Sequence, residues 1–151
     1  MVWVPLPITD GWLEAQLVMI FKMVVAMVLA GIIGYERERH GKPAGLRTHM
    51  LLALGSAIFT MLSITAFSEN ADQSRMAAYI LVGIGFIGAG TVLQMRDRVI
   101  GLTTAASVWL TSAISIAVAL GFYIMGISGA LLGYMVLRMK FKRNGGVRGG
   151  P

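Results

Sequence analysis

The amino-acid sequence predicts an all-α integral membrane protein: a compact bundle of about five transmembrane helices with the N-terminus outside and the C-terminus cytoplasmic. Three observations carry this expectation. Of the 151 residues 56% are hydrophobic and 13% charged, with a mean hydropathy of +0.74, which leaves too little polar surface to cover a water-soluble globule. Apolar stretches of membrane length follow one another, separated by short polar islands. When those stretches are threaded back and forth, the basic residues collect on one side.

A hydrocarbon core about 30 Å thick takes roughly 20 helical residues to cross. The stretches that qualify are 13–35, 46–67, 75–95 and a continuous block over 102–139. As a single helix that block would run about 57 Å, nearly twice the core. It is therefore read as two crossings, 102–120 and 122–139, turning at Gly121 with Phe122 and Tyr123, because glycine relaxes the backbone and aromatics suit an interface. Residues 1–140 then form one helical domain. The segment 141–151, basic and glycine-rich with no apolar periodicity, is expected to be a disordered tail whose charges touch anionic lipid head groups. The N-terminus has no basic region ahead of a short apolar core and is not read as a signal peptide.

Orientation follows from the loops. With five spans one face collects Arg37, Arg39, Lys42 and Arg47, then Arg96 and Arg98, then Arg138, Lys140, Lys142, Arg143 and Arg148, about eleven of the 13 Lys and Arg residues. The other face has Arg75 beside Asp10, Glu14, Glu69 and Asp72. The basic face is cytoplasmic by the positive-inside rule. Because the positive charge sits at the ends of apolar runs, the net charge of +6 points to a membrane rather than to nucleic acid. The absence of cysteine excludes disulfides and thiolate chemistry.

Within the spans, small residues recur at helical spacing. Ala26, Ala30 and Gly34 share a face of the first helix, with Lys22 on the same side. The third helix carries Gly83, Gly85, Gly88 and Gly90 on both sides and is expected to lie at the centre; the fifth carries Gly129 and Gly133, four apart. Thr104, Ser107, Thr111 and Ser115 form a stripe on the fourth helix, with Trp109 opposite, and Ser56, Thr60 and Ser63 form one on the second. Such stripes suit interhelical hydrogen bonding, which is favoured because Ser and Thr satisfy themselves on the preceding turn; the alternative is a polar path for an ion or solute.

No constellation for catalysis or metal binding is evident, so neither an enzyme nor a bound cofactor is expected. Gly83 to Gly88 fits GxGxxG by spacing but lies in mid-membrane rather than between a strand and a helix. His40 and His49 are expected to be solvated loop or interface residues. All seven carboxylates lie near a membrane face, which does not favour a cation pathway through the midplane. Lys22 alone is deep, either snorkelling to the outer face or serving as a buried functional cation. Glu36 and Glu38 end the first helix, where carboxylates are disfavoured unless paired. Glu36 is therefore expected to pair with Arg47 and close the first hairpin, with Pro43 in the first turn of the returning helix.

Five blocks follow in order: Gly31-Ile-Ile-Gly34-Tyr-Glu36-Arg37; Ala44-Gly45-Leu46-Arg47-Thr48; Asp72 with Arg75; Gly83-Ile-Gly85-Phe-Ile-Gly88-Ala-Gly90; and Gly101-Leu-Thr-Thr104-Ala-Ala106 with Trp109. Together they resemble the MgtC/SapB family of bacterial inner-membrane proteins. The resemblance covers 31–109. It implies a five-helix bundle in the cytoplasmic membrane, a link to growth at low magnesium and to survival inside host cells, and a regulator acting on other membrane complexes, the ATP synthase among those proposed. It also marks Glu36, Arg37, Arg47, Thr48, Asp72 and Arg75 as candidate functional residues. Many relatives continue into a soluble C-terminal domain of ACT type that this sequence does not show, and often carry glycines where Ser115 and Ala119 stand. The expected function is regulation through docking of helices three and five onto other membrane proteins or a second copy, with a transporter of Mg²⁺ or a small solute as the alternative.

Overall fold

The computed structural model describes residues 11–65, 74–95 and 98–139. Five helices and one short hairpin follow in order: α1 (Trp12–Arg39), α2 (Leu46–Thr65), α3 (Ser74–Gly90), β1 (Leu93–Met95), β2 (Arg98–Ile100), α4 (Leu102–Ala119) and α5 (Tyr123–Arg138). α1, α2 and α4 are long and apolar enough to cross a membrane; α3 and α5 supply shorter apolar helices over Ala78–Gly90 and Tyr123–Arg138.

The centre of the bundle is α4, which packs against all four other helices. Ten of its 18 residues are buried, most of them Ser, Thr, Ala or Val. Short side chains let neighbouring backbones approach from several directions. The main core joins Ala26, Leu29 and Ile33 of α1, Ala57 and Met61 of α2, Ile114, Val118 and Ala119 of α4, and Ala130 of α5. A smaller cluster, Ala44, Ile84 and Val108, lies under α3.

The expectation that α3 is central is corrected. It packs on α4 and α2 from the outside, and its Tyr79, Val82 and Phe86 are exposed. Among the described residues, Gly88 alone of its glycines has a close neighbour, Ala105, 3.5 Å from where a Cβ would stand; nothing lies within 4 Å at Gly83, Gly85 or Gly90.

The span expected over 75–95 is also corrected, because α3 stops at Gly90. The Thr91 and Val92 amides and the Thr91 hydroxyl close its last turn on the carbonyls of Gly88 and Ala89. The chain then turns into an antiparallel pair with Leu93 opposite Ile100 and Gln94 opposite Val99. A short apolar run reads equally as strand or helix, and this one continues the apolar character of α3 without a break. Gly101 ends the hairpin at φ +96°, where an added Cβ would overlap the Thr91 carbonyl oxygen, so the start of α4 is pressed directly onto the end of α3.

The turn at Gly121 is as expected. Gly121 has φ +92°, its amide donates to Val118 O at 2.9 Å and the Phe122 amide to Ala117 O at 2.8 Å, the paired bonds of a glycine-capped helix end. The tail over 141–151 lies outside the described residues.

Candidate functional site

Two features of α1 determine what happens at the loop end of the bundle. The Ala26, Ala30 and Gly34 face is buried, and at Gly34 an added Cβ would stand 2.8 Å from Leu46 Cα and 3.0 Å from His49 Cβ. The α1 and α2 backbones therefore meet there, and the residues that follow Gly34 are carried inside. Glu36 and Arg37 are each only 4% exposed. Arg37 Nη1 lies 3.5 Å from Glu36 Oε2, and His40 Nδ1 lies 3.1 Å from Glu36 Oε1. The His40 nitrogen is also 2.8 Å from the Glu36 main-chain oxygen. Glu36 Oε2 and Arg37 Nε are buried without a hydrogen-bond partner among the described residues. The pair thus offsets charge with charge while part of its hydrogen-bonding capacity stays unmet.

The expected Glu36–Arg47 pair does not form. Helix α1 runs to Arg39, one turn beyond the expected end, and this keeps Glu36 inside the bundle while Arg47 stands exposed in the first turn of α2. The hairpin is closed instead by Glu38, whose Oε2 accepts the Leu46 amide at 2.7 Å. Gly45 makes room for it: a Cβ there would stand 2.8 Å from the same oxygen. Pro43 sits in the connection ahead of α2 rather than within its first turn.

Beneath the loop runs a seam of polar side chains between α2 and α4. His49, expected in solvent, is fully buried. Its Nδ1 lies 2.8 Å from the Gly45 carbonyl oxygen and its Nε2 3.2 Å from Ser107 Oγ. Further along, Ser56 Oγ donates to Ser112 Oγ at 3.2 Å, and the Thr60 hydroxyl donates to Ser56 O at 2.7 Å. Thr104, Ser107, Thr111 and Ser115 are all buried. The hydroxyls of Ser107, Thr111 and Ser115 donate to the carbonyls of Thr104, Ser107 and Thr111 at 2.8 to 2.9 Å. Both stripes face protein, as interhelical hydrogen bonding requires, with Trp109 exposed on the other side of α4. Ser112, one position off the stripe, was not singled out from sequence although it makes the contact with Ser56.

Lys22 is half-buried and its Nζ donates to Ala119 O at 2.8 Å. Ala119 ends α4, and its carbonyl is left over when Leu120, Gly121 and Phe122 cap the neighbouring ones. A cation at a helix C-terminus also meets the negative end of the dipole. Lys22 thus reaches the Ala119 end of α4 and is not an isolated charge. On α5, Cβ atoms added at Gly126, Gly129 and Gly133 would press on Val118, Ile114 and Leu110 of α4, so the Gly129 and Gly133 face is used inside the chain. Arg75 is exposed at the start of α3, Thr48 is half-buried, and Asp72 lies outside the described residues. No group of three or more His, Cys, Asp or Glu side chains that could hold a metal ion occurs among the described residues.

The buried Glu36-Arg37 pair, the Gly34 contact with Leu46 and the tight Gly101 joint all fall within blocks of the resemblance noted above. Residues 23–144 match the family model described as the MgtC family. The chain belongs to the MgtC family. It is 41% identical over 127 residues to YhiD of Escherichia coli (strain K12), named as a candidate magnesium transporter, covering 80% of this chain and 59% of YhiD. It is 38% identical over 136 residues to protein SrpB of Synechococcus elongatus, covering 82% of this chain and 74% of SrpB. It is 40% identical over 102 residues to protein MgtC of Salmonella typhimurium (strain LT2), covering 68% of this chain and 43% of that protein. The chain thus spans 59% of the length of YhiD. No solved structure matches it.

Proposed function

We propose that this MgtC family protein is a multi-pass protein of the bacterial cytoplasmic membrane, N-terminus outside, that adapts the cell to low magnesium by docking onto other membrane proteins rather than by catalysis. The observation that carries this is the unused backbone of α3. Among the described residues, Gly85 and Gly90 have nothing within 4 Å of an added Cβ, and beside Gly85 the chain exposes Phe86, 84% accessible. Membrane helices associate by close backbone approach at small residues and by the packing of their neighbours, and among the described residues that capacity is spent on α5 and at Gly88 but not at Gly85 or Gly90 of α3. The docking surface is therefore the outer face of α3 alone. The hydroxyl stripes support the same reading, since their groups bond to protein instead of lining an open path.

The test is association in the membrane. Gly85→Leu and Phe86→Ala, introduced separately, should each cut co-purification with partner membrane proteins, or self-association measured by energy transfer, several-fold without lowering the amount of folded protein. Unchanged association in both variants rejects docking through α3. The name carried by YhiD favours a second reading, a transporter for Mg²⁺. Mg²⁺ flux into liposomes that contain the purified protein, absent from protein-free liposomes, would establish it.

A further inference from the structure

Between α2 and α3 lies an open groove of about 830 Å³ that neither helix fills. Its walls are apolar, with Leu51, Leu52 and Phe59 on one side and Ile80, Ile84 and Ile87 on the other. The width comes from Gly55 and Gly83, which both line it and have nothing within 4 Å of an added Cβ. That volume lies within the roughly 300–1,000 Å³ usual for small-molecule sites.

The groove is polar at one end, where Arg47 and Thr48 stand in the first turn of α2. Arg47 is exposed, and no carboxylate lies within 4 Å of its guanidinium among the described residues. The first turn of α2 already has the Glu38 carboxylate on its Leu46 amide, so a further anion at this end is met by the side chains of Arg47 and Thr48. From Arg47 to Phe59 the helix rises about 18 Å, close to the roughly 15 Å thickness of one leaflet's hydrocarbon. An anion-attracting end joined to an apolar trough one leaflet long has the shape of a phospholipid.

We propose that the α2–α3 groove binds one anionic phospholipid, its phosphate held by Arg47 and Thr48 and an acyl chain laid over Gly55 and Gly83. The proposal rests on the membrane placement made above. Charge selects this occupant. An apolar helix in the groove leaves the guanidinium without a counter-charge, and a second copy seated by a two-fold axis along the membrane normal sets Arg47 against Arg47. A phosphodiester oxygen pair matches the planar fork of arginine. The site is distinct from the outer face of α3, because Gly83 and Ile87 line the groove while Phe86 points away from it.

Native mass spectrometry of the purified full chain in detergent, with phosphatidylglycerol or phosphatidylcholine added, tests this. One phosphatidylglycerol should be retained at least tenfold better than phosphatidylcholine, with no competition from millimolar inorganic phosphate. Arg47→Gln should bring the two lipids to equal retention, and Gly83→Leu or Gly55→Leu, at positions where an added Cβ meets nothing within 4 Å among the described residues, should lower retention of both. Equal retention of the two lipids by the unaltered chain overturns the proposal. So does full retention in both groove-filling variants, complete displacement by phosphate, or a cross-link between Gly55→Cys groups of two copies. Carbonate washing separates this from failure of the membrane reading: protein that stays with the membranes but shows no lipid preference sinks the lipid site alone, whereas protein released by carbonate sinks both.

Discussion

Glu38 Oε2 accepts the amide of Leu46 at 2.7 Å, so the carboxylate that ends one helix begins the next. A negative charge at the C-terminus of α1 is poorly placed for its own helix, but the same charge sits at the N-terminus of α2, where the dipole favours it. Glu38→Ala should destabilise the protein by about 1 kcal/mol, within the range for losing a helix cap. Gly45→Ala should produce a similar loss, because its methyl group crowds that oxygen. The two changes combined should fall short of additive in thermal unfolding of the detergent-solubilised protein.

Glu36 holds its neighbour Arg37 electrically neutral inside the bundle. Glu36→Gln strands a buried guanidinium and should cost about 3 kcal/mol, in line with breaking one side of a buried pair. A double-mutant cycle should find coupling between Glu36 and Arg37 and none between Glu36 and Arg47, whose effects should simply add.

Lys22→Met keeps the length and apolar stem of the side chain but gives up the hydrogen bond to Ala119 O. A loss of about 1.5–3 kcal/mol is expected, the range for a bond to a charged group. Proteolysis at the α4–α5 turn, followed with time, should be faster in the variant.

Glycines of the two outer helices should separate folding from association. Gly133→Leu drives atoms into Leu110 and should lower the melting temperature, at a cost of about 1–3 kcal/mol for overpacking. At Gly85 an added Cβ meets nothing within 4 Å among the described residues, and Gly85→Leu should leave the melting temperature nearly unchanged while weakening association. A large fall in melting temperature for Gly85→Leu would place α3 inside the bundle after all.

Much of the architecture is legible in the sequence, because span length, the Gly121 break and the hydroxyl spacing each reflect a local rule. Gly121 adopts the left-handed backbone of a helix cap, and Ser107, Thr111 and Ser115 bond to the carbonyl three or four residues back, which spacing alone implies. What stayed hidden depends on which neighbour arrives. His49 reads as an interface residue until Gly34 lets α1 close over it. The Glu36 partner could not be chosen from spacing, because Arg37, His40 and Arg47 were all within reach of an unfolded loop, and an extra turn of α1 decided it. The hairpin over 93–100 is hidden because Val92, Leu93 and Met95 carry the apolar run of α3 past its end.

The hydroxyl seam has one more consequence. Thr111 and Ser115 each commit their single proton to a main-chain carbonyl of their own helix, and a carbonyl cannot pass a proton onward as a hydroxyl or a water can. Conduction along this stretch by hopping would first require both local bonds to break together. Polar as it is, that stretch of the bundle interior is built to block a relay of protons rather than to carry one.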